Sequence, residues 1–175
     1  DPLAVDAGNA ILAAGGTALD AAIAVQLVLN LVEPQSSGIG GGAFLLHWDH
    51  ARAALRSYDG RETAPAAAKP DRFMSSEGKP RAFDEVVFGG DSVGTPGLLR
   101  MLALAHKRHG KLPWAKLFEP AIKLADDGFP ISPRLSRLLT EMGPLKFAPN
   151  ARAYFFDEGV IPRAAGSHLK NPEFA

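Results

Sequence analysis

Cysteine is absent from the 175 residues. Disulfides, thiolate metal sites and a cysteine nucleophile are therefore excluded, while the compartment stays open. Neither sign of charge is in excess, because 19 Lys+Arg stand against 19 Asp+Glu. That balance excludes a protein held to nucleic acid by its overall field, and an acidic disordered tail. Long apolar runs are missing too. The longest nearly uncharged one, Ala21 to Val32, has 12 residues, short of the roughly 20 that span a bilayer. No signal peptide and no internal repeat is visible. What remains is a hydrophobic fraction of 46% with 22% charged residues, the balance of a globular domain with a real core. Eighteen glycines and 14 prolines predict many turns. The chain begins at Asp1, not Met, and stops at Phe174-Ala175 without a clear terminal cap. A processed or trimmed piece of something longer is expected.

Helices open the chain. Asp1-Pro2 starts the first, with Leu3, Ala7, Ala10, Ile11 and Ala14 near one face, and Gly15-Gly16 stops it. Thr17-x-x-Asp20 has capping-box spacing, and the helix it opens runs from about Ala18 to Val32. That helix is apolar almost all round, which predicts deep burial inside a larger protein. Glu33-Pro34 ends it and a glycine loop follows. Ala43 to Trp48 reads as a strand apolar on both faces, so covered on both. A turn near Asp49 to Ala53 leads to its antiparallel hairpin partner, Ala54 to Tyr58, and Asp59-Gly60 is a turn signal after it. Ala66 to Pro70 is a low-complexity connector, and Asp71 to Ser75 a brief helix with Phe73 and Met74 inward. Further helices run from Pro96 to His109, from Pro113 to Gly128 with a kink or break at Pro120, and from Ser132-Pro133 to Gly143. Tyr154 to Phe156 reads as a strand or an apolar plug. The order α-α-β-β-α-α-α gives an α+β class, with strands between helices.

Candidate chemistry begins with the glycine loop. Gly38-Ile39-Gly40-Gly41-Gly42-Ala43 satisfies G-x-G-x-x-A. A dinucleotide fingerprint needs a strand before it and a helix after it. Here the order is reversed, so close backbone approach is the stronger reading. His47-x-x-His50 and the pair His106/His109 lack an evident third metal ligand. A solvated helix end, favoured by the macrodipole, is expected for the second pair. Ser36 and Ser37 sit beside the glycines in no nucleophile-elbow context, which leaves turn hydrogen bonding. Arg61 follows a strand and a tight turn, where ligand contacts gather. Its planar fork can hold a carboxylate by two parallel hydrogen bonds, and neighbouring Glu62 offers the alternative of a local ion pair.

Seven blocks, in order, carry a resemblance. They are Asp6-Ala7-Gly8, Gly15 to Ala22, Val32 to Gly42, Asp59 to Pro65, Ser92 to Gly97, Gly110 to Trp114 and Pro120 to Ile122. Together they resemble the N-terminal part of the large subunit of γ-glutamyltranspeptidases, most strongly over residues 1–139. The resemblance implies an N-terminal-nucleophile hydrolase with an αββα sandwich, of which residues 1–175 are a partial, helix-rich piece. It implies a precursor that cuts itself, and a small-subunit N-terminal Thr that attacks γ-glutamyl amides such as glutathione. The glutamyl group then passes to water or an amino acid. Arg61 matches the large-subunit arginine that holds the substrate α-carboxylate, and Glu62, Gly40, Gly41 and Gly42 are candidate supports of that site.

No catalytic residue, metal or cofactor is assigned to this chain by the resemblance. Its threonines, Thr17, Thr63, Thr95 and Thr140, do not match the nucleophile. The implied partners are the small subunit carrying that Thr and the rest of the large subunit, with no nucleic acid and no membrane span. The implied location is periplasmic or secreted. Two alternatives share the motifs: a glutaryl or cephalosporin acylase of the same architecture, and a non-catalytic binding homologue.

Overall fold

The helix with the least exposed surface sets the fold. In the computed structural model, which describes residues 1–175, α1 spans Pro2–Ala13 and α2 spans Ala18–Val32. Asp1 caps α1 by accepting the Leu3 N–H at 2.9 Å, and Gly15, at φ +83°, reverses the chain after it. The capping box of α2 is complete: Thr17 N–H donates to Asp20 Oδ2 and Asp20 N–H to Thr17 Oγ1. Ile23, Ala24, Leu27, Val28, Leu31 and Val32 of α2 are all buried. The apolar circumference read from the sequence is therefore used inside this chain, with other helices around it.

The remaining elements wrap that rod. The hairpin follows, with β1 at Phe44–Asp49 and β2 at Ala54–Asp59, antiparallel in the register Phe44↔Asp59 to Asp49↔Ala54. Then come a short α3 (Phe83–Val87), α4 (Leu98–His109), a 3₁₀ turn (Trp114–Leu117) and α5 (Glu119–Asp127). Met101, Leu102 and Ala105 of α4 and Ala121 and Ala125 of α5 join the core. A two-residue strand β3 (Phe129–Pro130) precedes α6 (Pro133–Met142), and α7 (Pro149–Phe155) precedes β4 (Phe156–Asp157), β5 (Ile161–Pro162) and β6 (His168–Leu169). β3 pairs with β6 and β4 with β5, both antiparallel. Pro120 lies in the first turn of α5, where its missing N–H costs nothing, so the break resolves into two short helices.

Four sequence expectations need correction. β1 is not covered on both faces: Phe44, Leu46 and Trp48, with Leu55 opposite Trp48, are 57–69% exposed, because the sheet has only two strands and the chain supplies nothing on that side. Asp71–Ser75 is a turn, not a helix. There Ser75 N–H donates to the Lys79 carbonyl at 2.7 Å and Ser75 Oγ accepts from the Glu77 and Lys79 N–H groups. These local bonds compete with helix formation and leave Phe73 and Met74 40% exposed. Tyr154 and Phe155 belong to a helix that Pro149 starts, and strand pairing begins only at Phe156. Finally, α4 begins at Leu98 rather than Pro96, since backbone bonds between Thr95 and Thr63 hold that stretch extended.

Asp20 is fully buried yet well supplied with donors. Besides Thr17, the Lys111 N–H reaches Oδ2 at 3.0 Å and the Leu112 N–H at 3.2 Å. Burial alone would push its carboxyl pKa up; the hydrogen bonds from Thr17, Lys111 and Leu112 outweigh it and hold the pKa below 3.8. One side chain thus caps α2 and ties it to the turn after α4.

Candidate functional site

Three separate stretches are pinned together where β2 ends. Ala43 and Gly60 exchange backbone hydrogen bonds of 3.2 and 2.9 Å, and Thr63 and Thr95 exchange bonds of 3.3 and 2.8 Å. The N–H groups of Gly97 and Leu98, at the start of α4, both donate to the Gly41 carbonyl at 3.2 Å. That carbonyl satisfies helix donors that would otherwise be orphaned. The packing is too tight for side chains. A Cβ on Gly42 would lie 2.6 Å from the Gly60 carbonyl oxygen, 2.7 Å from Glu62 Oε2 and 2.8 Å from Arg61 Cα. A Cβ on Gly97 would overlap the Gly60 carbonyl, and one on Gly94 would sit 2.8 Å from Glu62 Cβ. The glycine run is therefore a close-packing device, with a helix before it and a strand after it, the reverse of a dinucleotide loop.

Arg61 stands on this knot. Its N–H donates to Asp59 Oδ1 at 2.9 Å, an Asx-type turn that fixes the exit from β2. Its side chain is 55% exposed and lines a cleft of about 650 Å³ with Gly40, Glu62, Gly94 and others. Glu62, more buried, places Oε2 3.1 Å from Arg61 Nη1. That oxygen nonetheless has no aligned hydrogen-bond donor, so the contact is an ion pair rather than a hydrogen-bonded fork. A guanidinium has five donors, and one off-line neighbour leaves most of them for a ligand. Gly41 and Gly42 back Glu62, whereas Gly40 has nothing within 4 Å of its would-be Cβ and borders the cleft itself. Lys69, Arg72 and Asp91 also line this cleft. Nothing in the sequence marks them: Lys69 sits in a connector of alanines and prolines without periodicity, and Arg72 and Asp91 reach the cleft only through the fold of residues 64–94.

His47, His106 and His109 are packed against other side chains and backbone. His47 and His109 stack face to face with ring centroids 4.0 Å apart, and Tyr58 Oη lies 2.7 Å from His109 Nε2. Burial, reinforced by neighbouring His47, pulls the His109 pKa below its ordinary value, against the pull of Asp49. His106 Nε2 meets the Leu112 carbonyl at 2.9 Å and lies 3.5 Å from Asp20 Oδ1. The solvated helix end expected from sequence is thus corrected. Both rings are partly buried, because the hairpin and the Lys111–Trp114 turn fold back over the end of α4. No group of three or more His, Asp or Glu side chains converges on a metal-sized site.

With this geometry in place, comparison with known proteins is decisive. The model of the gamma-glutamyltranspeptidase family matches residues 4–175. The chain belongs to the γ-glutamyltranspeptidase family. Among curated relatives, it is 44% identical over 158 residues to Scoloptoxin SSD14 of Scolopendra dehaani, covering 87% of this chain and 26% of that protein. It is 43% identical over 174 residues to the glutathione hydrolase proenzyme of Bacillus subtilis strain 168, covering 99% of this chain and 30% of that one. The crystal structure of Helicobacter pylori gamma-glutamyltranspeptidase superposes with a TM-score of 0.91 at 31% identity, over 99% of this chain and 50% of that one. A cephalosporin acylase from Bacillus halodurans superposes with a TM-score of 0.76 at 30% identity, over 97% of this chain and 32% of that one. The chain spans about a quarter to a third of the length of these curated relatives. Its fold is accordingly a helix-rich part of the N-terminal-nucleophile hydrolase architecture of the γ-glutamyltranspeptidases. The family match runs past Leu139, where the legible sequence blocks thin out. No helix is long and apolar enough to cross a membrane.

Proposed function

We propose that this chain is the substrate-anchoring part of the large subunit of a γ-glutamyltransferase and glutathione hydrolase. The observation that carries the reading is the position of Arg61: half-exposed, lining the cleft, on a loop pinned by Gly42, Gly60 and Gly97. Its planar fork would grip the α-carboxylate of a γ-glutamyl donor by two hydrogen bonds. Glu62 would keep the guanidinium turned toward the cleft, acting as a positioning residue. The glycine knot would fix the loop's height, so that the donor's γ-carbonyl is presented at one place and in one orientation.

Bond breaking belongs to a partner. The small subunit would supply an N-terminal Thr whose amine removes the hydroxyl proton as the oxygen attacks the γ-amide carbon. The amide C–N bond breaks, the amine leaves with a proton, and the glutamyl ester on Thr is then taken by water or an amino acid. The rest of the large subunit would complete the sheet and cover the bare face of the hairpin. A periplasmic or secreted location is part of the same proposal, and cell fractionation checks it.

Arg61→Lys in the complete enzyme keeps the charge and removes the fork. Loss of a charge-assisted two-point contact costs about 1.5–3 kcal/mol, and the half-exposed position favours the low end. KM for a γ-glutamyl anilide should therefore rise about tenfold or more, while self-cleavage of the precursor is kept. An unaltered KM would contradict the assignment. The resemblance to a cephalosporin acylase supports a second reading, in which the distal carboxylate of a glutaryl group takes the place at Arg61. Side-by-side turnover of glutathione and a glutaryl substrate by the complete enzyme separates the two.

A further inference from the structure

The cleft that holds Arg61 is larger than one amino-acid head requires. Its volume of about 650 Å³ falls in the roughly 300–1,000 Å³ of sites that enclose drug-sized ligands. Five charged side chains line it: Arg61, Glu62, Lys69, Arg72 and Asp91. Both of its carboxylates are already paired, Glu62 within the cleft and Asp91 with Arg81 outside it. Glu62 faces Arg61 at 3.1 Å, and Asp91 is engaged by Arg81 at 2.9 Å. Lys69 and Arg72 have no carboxylate within 4.0 Å. The cleft thus carries two cations with no counter-charge of their own.

Local structure holds these cations together. The Arg72 N–H donates to the Lys69 carbonyl at 3.2 Å, so the two residues close the ends of a single β-turn. Pro70 occupies the second position of that turn, where its fixed φ is favoured. A four-residue turn keeps its ends within about 7 Å, near enough for one carboxylate to meet both side chains. Arg72 is partly buried, with its guanidinium carbon 5.7 Å from the Phe73 ring centroid. That contact steadies the fork while leaving its in-plane donors free.

We propose that Lys69 and Arg72 form a second anion subsite, which receives a carboxylate carried by the donor beyond its γ-amide bond. The inference rests on the γ-glutamyl reading of Arg61 and deepens it. A γ-glutamyl peptide presents two acidic ends, the glutamyl α-carboxylate and the free C-terminus of the departing amine. Arg61 takes the first and the Lys69–Arg72 turn the second. Donors whose departing amine ends in a free carboxylate are then preferred over neutral ones of equal size. Within a walled cleft this attraction also raises the local concentration of acidic donors.

The test uses the complete processed enzyme and two donors that differ in one group, γ-glutamyl-leucine and γ-glutamyl-leucinamide. The readout is the ratio of their kcat/KM values, acid over amide. Wild type should favour the acid, and added salt should shrink that preference. K69A/R72A should lower the ratio about tenfold, and Arg72→Lys should restore part of it in the K69A background relative to K69A/R72A. If K69A/R72A is not processed, the K69A single variant and the salt series still decide. A wild-type ratio near one, or a ratio that neither K69A nor K69A/R72A nor salt alters, overturns the subsite. Failure of the underlying Arg61 reading looks different: Arg61→Lys would then leave KM unchanged for both donors.

Discussion

Gly42→Ala probes whether packing under Arg61 sets substrate affinity. The added methyl would sit 2.6 Å from the Gly60 carbonyl oxygen and 2.8 Å from Arg61 Cα, about 0.8 Å inside ordinary contact with the first. Both neighbours are backbone, so no side chain can swing away. Gly60 cannot retreat either, because Gly97 and Met101 back it. The Arg61 loop must therefore lift by several tenths of an ångström, or the knot must open. Overpacking of this kind costs about 1–3 kcal/mol. Displacement of an anchoring group on that scale is enough to change turnover severalfold or more. In the complete enzyme, Tm should fall by a few degrees and KM for a γ-glutamyl anilide should rise about fivefold to tenfold. Gly38→Ala is the control, since nothing lies within 4 Å of its would-be Cβ. If Gly42→Ala matches wild type in both Tm and KM, the close-packing role of the glycine run is wrong.

Asp20→Ala should be costly, because it removes half a capping box, worth about 1 kcal/mol. It also strands the Lys111 and Leu112 N–H groups at about 1–3 kcal/mol each. Thermal unfolding of the complete enzyme should show a loss of at least about 3 kcal/mol. Since the folded-state pKa of Asp20 lies below the ordinary 3.8, its stabilisation is complete above that value and is lost as pH falls through the lower folded-state pKa. Asp20→Asn should flatten that part of the acid-unfolding curve, and an unaltered curve would count against the network. Leu46→Asp places a charge on the bare hairpin face, where Leu46 is 69% exposed in this chain. If the rest of the protein covers that face, the yield of assembled, processed enzyme should collapse; normal yield would show that the face stays open.

Much of this was readable in the residues because it depends on local rules. Pro2, Thr17, Asp20 and Gly15 mark helix ends by backbone chemistry, and α2 lies at the residues its pattern gave. The hairpin is legible from two short apolar runs and the turn near Asp49 to Ala53 that joins them. What failed depended on distant partners. The two-faced apolar pattern of β1 predicts a cover on each face, and residues 1–175 supply only one. His106 and His109 read as a wet helix end, but Leu112, Asp20, His47 and Tyr58 close over them. Arg61 could be singled out from its turn, but Lys69, Arg72 and Asp91 could not, since their meeting in one cleft depends on how residues 64–94 fold back.

The most direct measurement is a two-way cycle between Arg61 and the carboxylate it is held to grip. Wild type and Arg61→Lys of the complete enzyme would each be assayed with a γ-glutamyl anilide and with its analogue lacking the α-carboxylate. A direct contact requires that the lysine variant lose about tenfold or more in kcat/KM on the first donor and almost nothing on the second. Equal losses on both donors would mean that Arg61 does not touch that carboxylate, and the reading of the cleft would fall.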